Sequence, residues 1–356
     1  MKASAADLRA FALGLKFEAL LSVNNPKSVH GIYPYRGKIS AIDATRVVSQ
    51  VPSGLTLLDP FCGSGTIVYE AARAGLKAIG VDANPLASML TEGKLRIPAD
   101  RNAVISEASK FVERARGGRF PALRLDSSKY FHEDTWSEIS RLSSKFDSMS
   151  PYLKACFAGA LCLTARGCNW YKWTSSSVGK NFPTKQYVNF YKKFAEKVEK
   201  HHFPIENQSE VHLGDSRKIV SLVGMNSCDV VFTSPPYFDC LDYTSYYAKV
   251  VFDVLGWERQ IIRDGLIQSF REYETDMKQV FDELSQVVKP GGLIVFVVGD
   301  KKIHGQVING GEFFRGIAPW THFRTIERTY SGTSSKVFDA INKTERREQV
   351  VMWINE

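Results

Sequence analysis

Two short strings carry groups that could do chemistry. "TSPPY", Thr233 to Tyr237, sets the Ser234 hydroxyl beside two prolines and an aromatic ring. Prolines stiffen the backbone, so a hydroxyl and a carbonyl there are hydrogen-bond acceptors held in place, with a stacking surface next to them. "LLDPFCGSGT", Leu57 to Thr66, is an apolar strand that ends in Asp-Pro and runs into a glycine turn. Ends of this kind are where an open α/β sheet holds a small ligand.

The residues around the turn narrow the choice of ligand. Dinucleotide-binding turns follow Gly-x-Gly-x-x-Gly, whose third glycine lets helix and strand pack closely around a pyrophosphate. Here the string from Gly63 is Gly-Ser-Gly-Thr-Ile-Val, and Val68 takes the third glycine's place. Asp59 precedes the turn, where it would repel a pyrophosphate and favour a cationic or amine-bearing ligand. S-adenosylmethionine has those features: an amino-acid end, a sulfonium and a ribose, but no phosphate. Asp82, in "IGVDANP", is placed to accept from ribose hydroxyls, and Asp215, in "HLGDS", to accept from an adenine amino group. Taken singly, each aspartate reads equally as a helix N-cap after a strand; three acidic strand tips together with a glycine turn point to a pocket. Cys62 reads as a small wall residue without a catalytic role.

These strings resemble the S-adenosylmethionine-dependent amino-methyltransferases of DNA. "DPFCGSGT" looks like their motif I and "TSPPY" like their motif IV, the Ser-Pro-Pro-Tyr form being most similar to the N4-cytosine enzymes. "SVHGIYPYRGKIS", Ser28 to Ser40, looks like the motif X used against the methionine end of the cofactor, and "RREQVVMWIN" is similar to their final strand. The resemblance implies an α/β fold, a Rossmann-like class I methyltransferase sheet of seven strands with the last pair antiparallel. It implies a cofactor site of Tyr33, Arg36, Lys38, Asp59, Pro60, Phe61, Gly63, Gly65, Thr66, Asp82, Ala83, Asp215 and Ser216. It also implies catalysis by Ser234, Pro235, Pro236 and Tyr237, with Asp242 and Tyr243 of "FDCLDYTSYY" bordering the base. From the residues alone, Asp242 reads equally as a solvated acid and Tyr243 as a packed aromatic. A cation at Arg36 or Lys38 either meets the cofactor carboxylate or faces solvent.

The implied chemistry makes sense of the loop. An exocyclic base amine is a poor nucleophile because its lone pair is delocalised into the ring, so methylation needs acceptors that hold the amino hydrogens and turn the lone pair toward the methyl. The Ser234 hydroxyl and the Pro235 carbonyl can supply them. Tyr237 can stack on a base flipped out of its duplex, which costs a few kcal/mol. The covalent route to ring-carbon methylation needs a Pro-Cys motif, and the chain has no Pro-Cys dipeptide. The expected reaction is direct methyl transfer to cytosine N4. Adenine N6 is the rival within DNA. "DPFCGSGTIVYEAA" is also similar to enzymes that methylate guanine N2 in transfer RNA, although those carry Asp-Pro-Pro-Tyr and an added RNA-binding domain. A glutamine methyltransferase, with Asn-Pro-Pro-Tyr, fits less well still, and a catalytically silent nucleic-acid-binding subunit need not keep these acceptors.

Positioning these groups takes a sheet. "LTLLDPF", "KAIGVDA", "EVHLGDS", "CDVVFTSPP" and "GGLIVFVVGD" alternate with helix-like runs, the pattern of a parallel sheet covered on both faces. "FRTIERTYSG" and "REQVVMWIN" lack a helical spacer and read as an antiparallel pair closing the edge. About 125 residues separate "DANP" from "VHLGDS", far more than one crossover helix needs. The expectation is a catalytic domain of residues 1–99 and 203–356 and a mainly helical insertion over 100–202, itself a candidate DNA-recognition region. Within the insertion, "RGCNWYKWTSSSVGKNFPTK" interleaves basic residues with Trp170 and Trp173, a composition that suits phosphates and bases, or else a packing lid.

Composition agrees with this reading. With 46 Lys and Arg against 38 Asp and Glu, the net charge of +8 suits a polyanionic partner, here double-stranded DNA. Six scattered cysteines with no Cys-x-x-Cys pair argue against a zinc ribbon or a disulfide framework, and the adjacent His201 and His202 suggest a helix end, so no metal is expected. The N-terminus has no signal core and no apolar run approaches about twenty residues, so the expected setting is the cytoplasm of a prokaryotic or phage-like system. A cognate restriction endonuclease is a compatible partner, and the protein is expected as a monomer or homodimer.

Overall fold

The computed structural model describes residues 5–17, 28–35, 37, 39–118, 126–168, 186–236, 242–245, 247–269, 271–303, 306–330 and 346–356. Apolar runs of the sequence become strands β1 Thr56–Asp59, β2 Lys77–Asp82, β3 Glu210–Leu213, β4 Cys228–Thr233 and β5 Val288–Gly299. Two short strands, β6 Lys301–Ile303 and β7 Gln306–Ile308, pair with each other, and β8 Thr321–Tyr330 and β9 Arg346–Ile354 complete the main sheet. Its order is β3-β2-β1-β4-β5-β9-β8. β9 runs antiparallel to both β5 and β8, so it is the one reversed strand of the seven, inserted between two that run with the rest. This is the class I methyltransferase sheet.

The order places the site. The chain steps outward from β1 through β2 to β3, then returns to lay β4 on the other side of β1. At such a switch point the connections leave in opposite directions and open a crevice beyond the carboxyl ends of the strands. β1 ends there at Asp59, β2 at Asp82 and β4 at Thr233, so all the chemistry-bearing strings meet at one edge.

Packing follows the period of two. Leu57, Val230, Phe232, Leu293 and Val295 face one core, and Leu58, Val231, Ile294 and Phe296 face the other, all buried. A third core covers the outside of helices Thr66–Arg73 and Pro85–Leu95 through Tyr69, Leu86 and Leu90. It is built chiefly by helices Arg101–Arg116, Glu133–Ser143, Pro151–Cys168 and Phe190–Lys200, which fall where the helical insertion was expected. The boundaries at 99–100 and 202–203 do not divide the molecule into separate cores, however: Val29, Ile32 and Tyr33 are buried in the same cluster as Tyr152, Phe157 and Phe194. Helical periodicity marks a buried face but not its partner, which here includes Val29, Ile32, Tyr33, Tyr69, Leu86 and Leu90.

The insertion also straps down the segment that begins at Ser28. Lys197 donates to the Gly31 carbonyl at 2.8 Å and His201 Nδ1 meets the Ser28 carbonyl at 2.7 Å. Burial pushes the Lys197 ammonium down to about 8. Gly159 lets helix and strap touch, since a Cβ there would stand 2.0 Å from the Ile32 carbonyl oxygen.

On the opposite side, buried Arg328 of β8 binds both oxygens of buried Asp43 at 3.0 and 3.1 Å and donates from Nε to Glu348 at 2.9 Å. Arg328→Met would leave Asp43 as an uncompensated buried charge, a loss on the order of 3 to 5 kcal/mol. Denaturant unfolding is expected to show it as a lower midpoint with an unchanged slope, and Asp43→Asn added to it should recover much of the loss.

Candidate active site

The glycine turn is shaped by three local demands. Gly63 and Gly65 have φ of 52° and 71°, a region that side chains disfavour. A Cβ on Gly65 would stand 2.6 Å from Thr91, and one on Gly63 would stand 3.2 Å from the Tyr35 ring. The close helix–strand contact that a dinucleotide turn draws from its third glycine is made differently here. Val68 packs on Gly80 of β2, where a Cβ would lie 3.0 Å from the valine methyl. The glycine has moved from helix to strand, so Val68 is compatible with tight packing around the turn.

Buried polar groups hold the turn from behind. Lys94, almost wholly buried, donates to the Ser64 carbonyl, and its Nζ lies 3.3 Å from His30 Nδ1. His30 Nε2 in turn meets Glu70 at 2.8 Å, and Glu70 also accepts from Thr45 and Arg73. Lys94, His30 and Glu70 thus form one continuous line of polar contacts behind the turn. His30, from the Ser28–Ser40 string, is thereby tied to the turn and to the helix that follows it.

The pocket encloses about 810 Å³ with its open mouth included, within the range of small-molecule sites. Of the expected cofactor residues, Asp59, Phe61, Gly63, Thr66, Asp82, Ala83, Asp215 and Ser216 line it. Asp59 Oδ1 accepts from Phe61 N at 3.2 Å and from the Thr233 hydroxyl at 2.6 Å. Burial pushes its carboxyl up from 3.8 to about 7. Asp82 accepts from the amides of Gly63 and Asn84, both at 2.8 Å, and burial pushes it up to about 6. Asp215 caps a short turn and forms a two-pronged pair with Arg217, so much of its acceptor capacity is used within the protein.

Five expected residues among those described do not line the pocket, Pro235 being one. Tyr33 is buried in the core shared with the insertion, because the chain at residues 32–35 turns its two tyrosines to different sides and gives the pocket Tyr35 instead. Pro60 contributes a carbonyl that accepts from Ser216 Oγ, and Gly65 faces Thr91. Asp242 does not line the pocket: it accepts from Thr244, Ser245 and Arg259, and those hydrogen bonds together with the arginine hold its carboxyl below the usual range against the opposing effect of burial. Arg36, Lys38, Trp170, Trp173 and Tyr237 lie outside the described residues.

Ser234 and Pro236 line the same pocket as the glycine turn, with Pro235 buried between them. The loop is fixed at both ends: Thr233 is bonded to Asp59, and the Pro236 carbonyl accepts from Tyr273 OH at 2.5 Å. Tyr273 is buried among Phe313 and Phe314 and carries no local sequence signal. Tyr243 lines the same pocket and its ring lies nearly parallel to Tyr35, at 24° and 6.4 Å between centroids.

Residues 44–279 match the D12 class N6 adenine-specific DNA methyltransferases. The chain belongs to that family. The match runs from helix Ala41–Val48 into helix Tyr273–Val287, so it takes in both the glycine turn and the Ser-Pro-Pro-Tyr string. A type II methyltransferase of Methanocaldococcus jannaschii is 35% identical over 83 residues, 23% of this chain and only 16% of that protein. A type II methyltransferase of Geobacillus stearothermophilus is 19% identical over 93% of this chain and 86% of that one. Among solved structures, an rRNA methyltransferase of Streptomyces viridochromogenes aligns over 100% of this chain and 94% of its own at 14% identity, with a TM-score of 0.36. The family description names adenine N6, where the Ser-Pro-Pro-Tyr resemblance pointed to cytosine N4.

S-adenosylmethionine is the cofactor of this fold and family, and the pocket suits it. The buried Asp59 and half-buried Asp82, without a cationic partner among the described pocket residues, favour a ligand with cationic ends. The Ser64 and Thr66 hydroxyls are buried on the pocket wall without a hydrogen-bond partner among the described residues, ready for a polar ligand. Among the described residues no group of side chains could hold a metal ion, and no helix is long and apolar enough to cross a membrane.

Proposed function

We propose that the protein methylates an exocyclic amine of a DNA base flipped from its duplex, with cytosine N4 as the target. The observation that carries the reading is that Ser234 and Pro236 line one pocket together with Asp59 and Asp82. When bound, S-adenosylmethionine supplies a methyl made electrophilic by its sulfonium. The protein's part is orientation. Asp59 and Asp82 hold the cofactor's amine and ribose, and the glycine turn admits its backbone-close approach. The Ser234 hydroxyl and the Pro235 carbonyl accept the two amino hydrogens and aim the nitrogen lone pair. Tyr273 and Thr233 act as positioning residues, keeping the loop from yielding when the base enters.

Serine at position 234, where related enzymes carry an acid, supports cytosine N4. The family match supports adenine N6 as a second reading, since both amines need the same acceptors. Methylating unmodified duplex DNA with the purified protein, then digesting it to nucleosides for mass spectrometry, separates the two. N4-methylcytosine is the expected product. N6-methyladenine overturns the choice of base while keeping the chemistry, and transfer to RNA alone overturns the substrate class.

A further inference from the structure

We propose that Tyr35 and Tyr243 form an aromatic wall that reads the positive charge of the bound cofactor, so that the site holds the methyl donor and releases the neutral product. This rests on S-adenosylmethionine being the ligand of the pocket. Methyl transfer leaves the C–S bonding pair on sulfur, which turns a sulfonium cation into a neutral thioether. A sulfonium has no N–H or O–H, so it is recognised mainly through its charge, and the negative face of an aromatic ring is one group that distinguishes it from a neutral thioether.

The two rings stand where such a group must lie. Tyr35 rests against Gly63, whose amide donates to Asp82 at 2.8 Å, so its ring belongs to the cofactor half of the pocket. Tyr243 follows the catalytic loop and shares the pocket with Ser234 and Pro236. Their near-parallel rings therefore join the half that binds the donor to the half that presents the acceptor, and the migrating methyl crosses between these halves. Burial, and Asp82 close by, push the Tyr35 hydroxyl well above its ordinary value, so it stays protonated, as a neutral phenol.

The position of Tyr243 is built into the fold. Asp242 accepts from Thr244 N at 2.9 Å, from Ser245 Oγ at 2.6 Å and from Arg259 Nη2 at 2.6 Å, and Arg259 Nε donates to the Thr244 carbonyl at 3.0 Å. Asn84 Nδ2 reaches the Tyr243 carbonyl at 3.4 Å. These bonds close a tight turn around the tyrosine and aim it back at Tyr35. They also give Asp242 a role that differs from contact with the base.

Calorimetric titration of the purified protein with S-adenosylmethionine and, separately, with S-adenosylhomocysteine tests the proposal. Tyr35→Leu and Tyr243→Leu are each expected to weaken the donor by about 5- to 30-fold, the range for a cation over a desolvated ring, and to leave the thioether within about twofold. Tyr35→Phe and Tyr243→Phe keep the ring face and are expected to keep the preference. Equal weakening of both ligands, or of neither, overturns the proposal. If the unsubstituted protein binds neither ligand, the cofactor reading of the pocket falls as well. Thermal melting of each variant identifies any loss that comes from unfolding, and in that case the phenylalanine pair decides: a preference lost there overturns the proposal.

Discussion

Asp59→Asn is expected to stabilise the unliganded protein above pH 7 and to weaken S-adenosylmethionine binding by about 30-fold or more. The two effects share one cause. Asp59 is almost fully buried, and burial raises its carboxyl from 3.8 to about 7. A carboxyl raised on folding contributes stability that is fully present below the unfolded value of 3.8 and is lost as pH rises through about 7. Above that point the folded protein carries a buried anion that the unfolded chain would keep in water. The displacement corresponds to on the order of 4 kcal/mol. Asparagine removes the charge and keeps the geometry, because Phe61 N and the Thr233 hydroxyl both donate to the same oxygen, Oδ1, which the amide retains. What it loses is the attraction for the cofactor's cationic end, and removing one partner of a buried charge pair costs about 2 to 5 kcal/mol of binding. Melting curves at pH 5 and pH 8 should lie closer together for wild type and variant at the lower pH, where only part of the loss between 3.8 and about 7 has accrued, and separate fully at the higher one. In the wild type, donor affinity should fall as pH drops from 8 toward 6, since Asp59 and Asp82, at about 7 and about 6, take up protons and stop attracting a cation. An Asp59→Asn variant no more stable than wild type at pH 8 would show that the carboxylate is not held as a strained anion.

The sequence made the sheet and the pocket floor legible for a physical reason. Parallel strands buried on both faces are written as continuous apolar runs, and the residues at or just beyond their ends, Asp59, Asp82, Asp215 and Ser234, line the pocket. The glycine turn and the proline loop are local too: their geometry is decided by neighbours in the chain. What escaped was non-local. Tyr273 meets the Pro236 carbonyl across 37 residues, and Lys94 reaches His30 across 64, with nothing in either stretch to announce the contact. Tyr33 and Tyr35 are two positions apart and of the same type, so only tertiary packing could say which of them faces the pocket. The insertion was visible as helices, but the burial of its apolar faces against Val29, Ile32 and Tyr69 was not, because periodicity carries no information about the partner. Asp242 illustrates the reverse error: an acid beside a catalytic loop invites a substrate role, whereas its oxygens are engaged by Thr244, Ser245 and Arg259.

Ser234→Ala is expected to lower the rate of methyl transfer by about two to three orders of magnitude while leaving the dissociation constant for S-adenosylmethionine within about twofold. The serine hydroxyl serves the amine only as its lone pair is drawn out of conjugation, so its contribution grows toward the transition state and shows in the chemical step. The backbone of the loop should survive the substitution, since the fixed points on either side are the Thr233 hydroxyl on Asp59 and the Tyr273 hydroxyl on the Pro236 carbonyl. Single-turnover measurement is the right readout, because release of methylated DNA can mask a slower chemical step at steady state. Ser234→Asp separates acceptor chemistry from shape. It restores an acceptor of the kind the related Asp-Pro-Pro-Tyr loops carry, and it is expected to retain transfer within about tenfold of wild type. If alanine and aspartate fail equally, the position matters for its size and not for its lone pairs; if alanine transfers at the wild-type rate, the amino hydrogens are held by backbone carbonyls alone, and the case for serine as a determinant of the target base disappears with it.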